Sequence, residues 1–74
     1  MKLKDKQRHI LLKCVEELNE LSTILIQQIN KPHKDYSKKI IEELGDVLFR
    51  VQNLTYWYNP VQIKERIEYK KRKK

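Results

Sequence analysis

With 74 residues, a formal net charge of +7, one cysteine and 36% charged residues, the chain is sized and composed for one helix-rich domain and cannot form an intrachain disulfide. Short chains bury a smaller fraction of their surface than long ones, so a large self-sufficient core is excluded and oligomerisation or a bound metal is the expected remedy. No apolar run approaches the ~18 residues of a membrane span, and the basic N-terminus "MKLKDKQRHILLKCVEELNE" has charges throughout and no small-residue cleavage site, so we expect a cytoplasmic protein, neither exported nor membrane-spanning.

The first predicted element runs from Asp5 to Asn30, where Leu11, Cys14, Val15, Leu18, Leu21, Leu25 and Ile29 recur at steps of three and four, the spacing of an amphipathic helix. Cys14 belongs to that stripe and reads as a small buried hydrophobe of a reducing compartment, with no chemistry assigned. The segment "NKPHKD" breaks the helix, because Pro32 has no amide proton and biases Lys31 away from helical dihedrals. A connection this short makes the next helix an antiparallel neighbour. Ile40, Leu44, Val47, Val51 and Leu54 trace that second helix, with Asp35 or Ser37 as its cap and its end near Tyr56 or Tyr58. Asn59 can then cap a third helix with Pro60 in its first turn and a weaker apolar face of Val61, Ile63 and Ile67.

The expected fold is therefore all-α: two long antiparallel helices and a short C-terminal one in a single domain over residues 1–74, with basic ends 1–4 and 71–74 that fray. Ile24 and Ile26 in helix one, and Ile41, Leu48 and Phe49 in helix two, fall outside the narrow stripes. A helix apolar beyond one stripe needs further cover, so we expect a homodimer or homotetramer in which helix pairs from different chains form a four-helix bundle.

Six of the ten acids are Glu16, Glu17, Glu20, Glu42, Glu43 and Asp46, and no Lys or Arg falls inside either acidic window to suggest surface ion pairs. Glu17 and Glu20 lie one turn apart at the margin of the apolar stripe, and Glu43 and Asp46 repeat the arrangement. Antiparallel packing would bring four carboxylates to one level, which like-charge repulsion opposes unless a cation is bound. Oxygen ligands in that number suit Mg²⁺, with Mn²⁺ as a substitute. A di-iron centre is disfavoured because neither window holds a histidine. Acidic pairs on helices are commonly solvated faces, and only their conjunction on two neighbouring helices points to a metal. Gly45, in mid-helix, suggests a close approach of backbone or helix.

These residues, "EELNE" at Glu16 to Glu20 and, 22 residues on, "ELGD" at Glu43 to Asp46 followed by "VLF", resemble the EExxE…ExxD signature of the MazG-like all-α nucleoside triphosphate pyrophosphohydrolases. The likeness runs from about Ile10 to Lys70. It implies a helical, oligomeric, Mg²⁺-dependent enzyme that converts a (d)NTP to a (d)NMP and pyrophosphate. By position, Glu17, Glu20, Glu43 and Asp46 match metal ligands, Glu16 the leading glutamate, and Asn53 an asparagine facing the nucleotide. "EYK" at Glu68 to Lys70 resembles the basic end of short members, although Lys73 stands where an arginine is expected.

In such a site a bound metal would neutralise phosphate charge and activate water. Glu20 or Glu16 could orient or deprotonate that water, while Arg50, Asn53 and Lys70 could hold phosphate or sugar. The aromatics of "TYWY", Thr55 to Tyr58, read better as cover for a core or interface than as a base-stacking platform. His9 and His33 have no ligand-spaced partner, and "NLT" at Asn53 reads as a chance glycosylation match. The competing reading is a small basic helical nucleic-acid-binding or regulatory module, motivated by a pI near 9.6 and the basic ends. A nucleic-acid partner is disfavoured because the strongest pattern is acidic.

Overall fold

A computed structural model describes residues 3–73, which form three helices: α1 (Asp5–Asn30), α2 (Ser37–Thr55) and α3 (Pro60–Lys73). The all-α class expected from the periodicity is observed, and no strand occurs among the described residues. At the start of α1, the Gln7 side-chain carbonyl accepts a hydrogen bond from the Lys4 N–H at 3.1 Å, satisfying one of the donors that a helix terminus orphans. Before α2, the Asp35 carboxylate accepts from both the backbone N–H and the hydroxyl of Ser37. Asn59 caps α3 through Oδ1, which accepts from the Val61 N–H at 2.8 Å.

The contact between α1 and α2 is the one substantial helix–helix packing among the described residues. Its seam follows strict steps of four and three. On α1 the inward positions are Ile10, Cys14, Glu17, Leu21, Ile24 and Gln28, and on α2 they are Tyr36, Ile40, Glu43, Val47, Arg50 and Leu54. That heptad spacing is the signature of an antiparallel coiled-coil contact. The apolar stripes read from the sequence are corrected accordingly. Ile24, expected outside the stripe, is one of three buried apolar residues with Cys14 and Val47. Leu18, Leu25, Ile29 and Leu44, expected inside it, are 42–75% exposed. Hydrophobicity alone had merged two adjacent stripes into one.

Three further expectations change. Gly45 marks no close approach within the chain, because a Cβ built there meets nothing within 4 Å. Of the core or interface expected to lie under the aromatics after α2, the core is not found within the chain: Tyr56, Trp57 and Tyr58 are all exposed. The C-terminal segment stays helical through Lys73 instead of fraying after Lys70, since basic side chains in a last turn complement the carbonyl end of the helix dipole. Met1, Lys2 and Lys74, parts of the expected basic ends, lie outside the described residues. No helix among the described residues is long and apolar enough to cross a membrane.

Candidate metal centre

Glu17 and Glu43 occupy seam positions where a coiled coil ordinarily places apolar side chains. Glu43 is only 4% exposed, the most buried charged residue described, and Glu17 is half-buried. Asp46 follows Glu43 by one turn at the exposed lip. One carboxylate oxygen from each of the three lies within 4.8 Å of the other two. Two carboxylate oxygens of the trio, Oε2 of Glu17 and Oε2 of Glu43, are buried without a hydrogen-bond partner. Unpartnered buried acceptors are uncommon and destabilising. An acidic cluster with a nine-tenths-buried carboxylate at its centre, one oxygen of it orphaned, is thus more than a charged surface.

The electrostatics agree. Burial, followed by the charges of Glu20 and Asp46, raises the Glu17 carboxyl above its ordinary value. Glu20 is raised first by the charge of Glu43. A hydrogen bond between two carboxyl groups requires a shared proton, so the cluster can settle its charge by taking up a proton or by binding a cation.

Of the residues expected in the site, the fold assembles Glu17, Glu43 and Asp46 into the tight trio. Glu20 lies beside Glu43, with which it lines a hollow of about 400 Å³ between the helices, together with Thr23, Gln27 and Lys39. Glu16 is not part of the cluster. It sits about 100° around the helix from Glu17, exposed and paired with Lys13 at 3.3 Å. Arg50 lines a smaller hollow of about 200 Å³ with Glu17, Asp46 and Phe49, its guanidinium over the Phe49 ring at 5.2 Å from the centroid. Asn53 is half-buried one turn farther along α2 and lines neither hollow. Lys70 lies on α3 in a groove with Ile63, Arg66, Ile67 and Lys71, a set that shares no residue with the acidic site.

Sequence reasoning overlooked Lys39. The expectation that no cation stands at ion-pair spacing from the acids fails, because Lys39 Nζ lies 3.1 Å from Glu43 Oε1 and 3.8 Å from Glu42 Oε2. Looking four residues before each acid as well as after it would have found this residue.

No known protein family, curated protein sequence or solved structure matches the chain.

Proposed function

We propose that the protein is a Mg²⁺-dependent nucleoside triphosphate pyrophosphohydrolase, converting a (d)NTP to the (d)NMP and pyrophosphate and working as a homo-oligomer. The observation that carries this reading is Glu43, a carboxylate buried in the helix seam with one oxygen orphaned and within 4.8 Å of Glu17 and Asp46. The resemblance of "EELNE…ELGD" to the MazG-like signature supplies the reaction class.

The donor set fits the ion. Carboxylate oxygens are hard ligands, and Mg²⁺ is commonly held by a few of them while keeping water or phosphate oxygens in its remaining positions. When bound, such an ion neutralises phosphate charge, lowers the pKa of a coordinated water and stabilises the leaving group. The chain's own side chains divide the remaining work. Glu17, Glu43 and Asp46 would hold the cation, and Glu20, exposed beside them, would accept a proton from the attacking water. Water adds to the α-phosphorus, the bond from that phosphorus to the bridging oxygen breaks, and pyrophosphate leaves. Arg50, at the edge of the Glu17 and Asp46 hollow, can meet phosphate oxygens with its planar fork.

The test is pyrophosphate release from a panel of canonical and modified (d)NTPs, with Mg²⁺ and with EDTA, using Glu43→Gln as the control. Metal-dependent release that the substitution reduces by more than about a hundredfold is expected, as for loss of a group that stabilises transition-state charge. Activity retained in Glu43→Gln would remove the assignment.

A second reading has one observation in its favour. Residues 60–74 carry seven of the 17 basic residues and two of the ten acids, and α3 buries none of its side chains. A basic helix so presented suits phosphate backbones, and salt-sensitive retention of DNA without nucleotide hydrolysis would favour a binding module.

A further inference from the structure

We infer that Lys39 is a built-in counter-cation of the carboxylate site, seated on Glu43 and weakening the site's affinity for a divalent ion until it swings away. The inference rests on the metal-binding part of the function proposed above.

Three observations converge on it. First, the contact is asymmetric. The Glu43 side chain is 5% exposed and lies in the seam, whereas the Lys39 side chain is 56% exposed. A pair with one buried and one exposed partner can open without disturbing the helices. Second, Lys39 is badly chosen for helix stability. It is the third residue of α2, where the helix dipole disfavours a positive charge. It also precedes Glu43 by four residues, the weaker orientation for a Lys–Glu pair. Neither fact suggests that the lysine is there for the helix. Third, Lys39 shares the larger hollow with Glu20 and Glu43, so its charge faces two acids of the site at once, besides the exposed Glu42 at 3.8 Å. One oxygen of Glu43 is taken by the ammonium at 3.1 Å and the other is orphaned, leaving the carboxylate half-compensated. A divalent ion entering the trio would meet a positive charge already on one of its ligands.

The experiment is calorimetric titration of Mn²⁺ into the full-length wild-type protein and into Lys39→Met, Lys39→Gln and Lys39→Arg. Circular dichroism confirms that each variant is helical. If Lys39 competes with the metal, Lys39→Met and Lys39→Gln bind Mn²⁺ about two- to fivefold more tightly than wild type, the scale of a partly exposed ion pair. Lys39→Arg keeps the wild-type affinity, and added salt narrows the difference. If Lys39 only orients Glu43, removing it leaves affinity unchanged or weakens it. That outcome, with the wild type still binding Mn²⁺, overturns this inference and leaves the metal centre standing. No binding by any of the four proteins overturns both.

Discussion

At the scale of single residues, a carboxylate in a helix seam destabilises the fold unless something compensates it, and here it occurs twice. Glu17 and Glu43 stand where Leu or Val would pack, each with one oxygen buried and unpartnered, and burying a polar group without a full set of partners opposes folding. The direction of the pH dependence follows. Glu17 and Glu20 have carboxyl groups raised above their ordinary value of 4.5, so between that value and their folded-state values the native protein binds more protons than the unfolded chain. Stability then falls as pH rises through this window, and it is fully present only below it. The metal-free protein should melt at progressively lower temperature from about pH 4.5 toward neutrality, Glu17→Gln should flatten that slope, and Mg²⁺ at neutral pH should restore the lost stability. Thermal melts across pH with EDTA or Mg²⁺ check it, and a slope of opposite sign in the EDTA series would refute it. The sequence already paired Glu17 with Glu20 and Glu43 with Asp46, because one-turn spacing is visible without coordinates. It did not reveal that the seam passes through Glu17 and Glu43, since a seam position filled by a charge is invisible to a search for apolar periodicity.

At the scale of elements, the α1–α2 hairpin aligns the two acidic windows, so whatever fixes the turn also fixes the site. Gln28, the last seam residue of α1, is the clamp. Its Nε2 donates to the Lys34 carbonyl at 2.7 Å and more weakly to that of Lys31, and its Oε1 accepts from the Tyr36 N–H at 3.1 Å. One side chain thereby closes the connection from Lys31 to Tyr36. Gln28→Ala removes all of these bonds from a half-solvated loop where water can partly replace them, so a loss of about 1–2 kcal/mol is expected. For a domain of this size that corresponds to a drop of roughly 4–15 °C in Tm, readable by circular dichroism. A melt within a degree of wild type would show that the turn holds itself. Pro32 as breaker and Asn59 as cap were legible because their chemistry is local. Gln28 was not, because its partners are carbonyls that converge only after the turn has formed.

At the scale of the whole molecule, the single chain leaves many of its large apolar side chains exposed. Its radius of gyration is 15.2 Å, against ~11 Å for a compact chain of this length. Its thinnest dimension is 18 Å, leaving no further layer over the hairpin. Beside the buried seam runs a second heptad stripe: Leu11, Val15, Leu18, Leu25 and Ile29 on α1, and Ile41, Leu44, Leu48 and Val51 on α2. Most of it is exposed, Ile41 at 68%. Two seams offset by one residue on each helix are what a helix needs to face two neighbours in a four-helix bundle, and in the homo-oligomer proposed above the second seam would meet another hairpin of the same sequence. Leu48 makes this testable, because a polar substitution at an exposed site of a monomer changes stability by no more than ~0.5 kcal/mol. Sedimentation at micromolar concentration should give wild type the mass of a dimer or tetramer. Leu48→Glu should sediment as a monomer and melt at lower temperature, since a charge in a bundle seam is left uncompensated. A wild-type monomer, or a Leu48→Glu protein with unchanged mass and melting, would remove the bundle. If the variant is monomeric, still binds Mn²⁺ and no longer releases pyrophosphate, the trio holds the metal within one chain while nucleotide turnover requires a second.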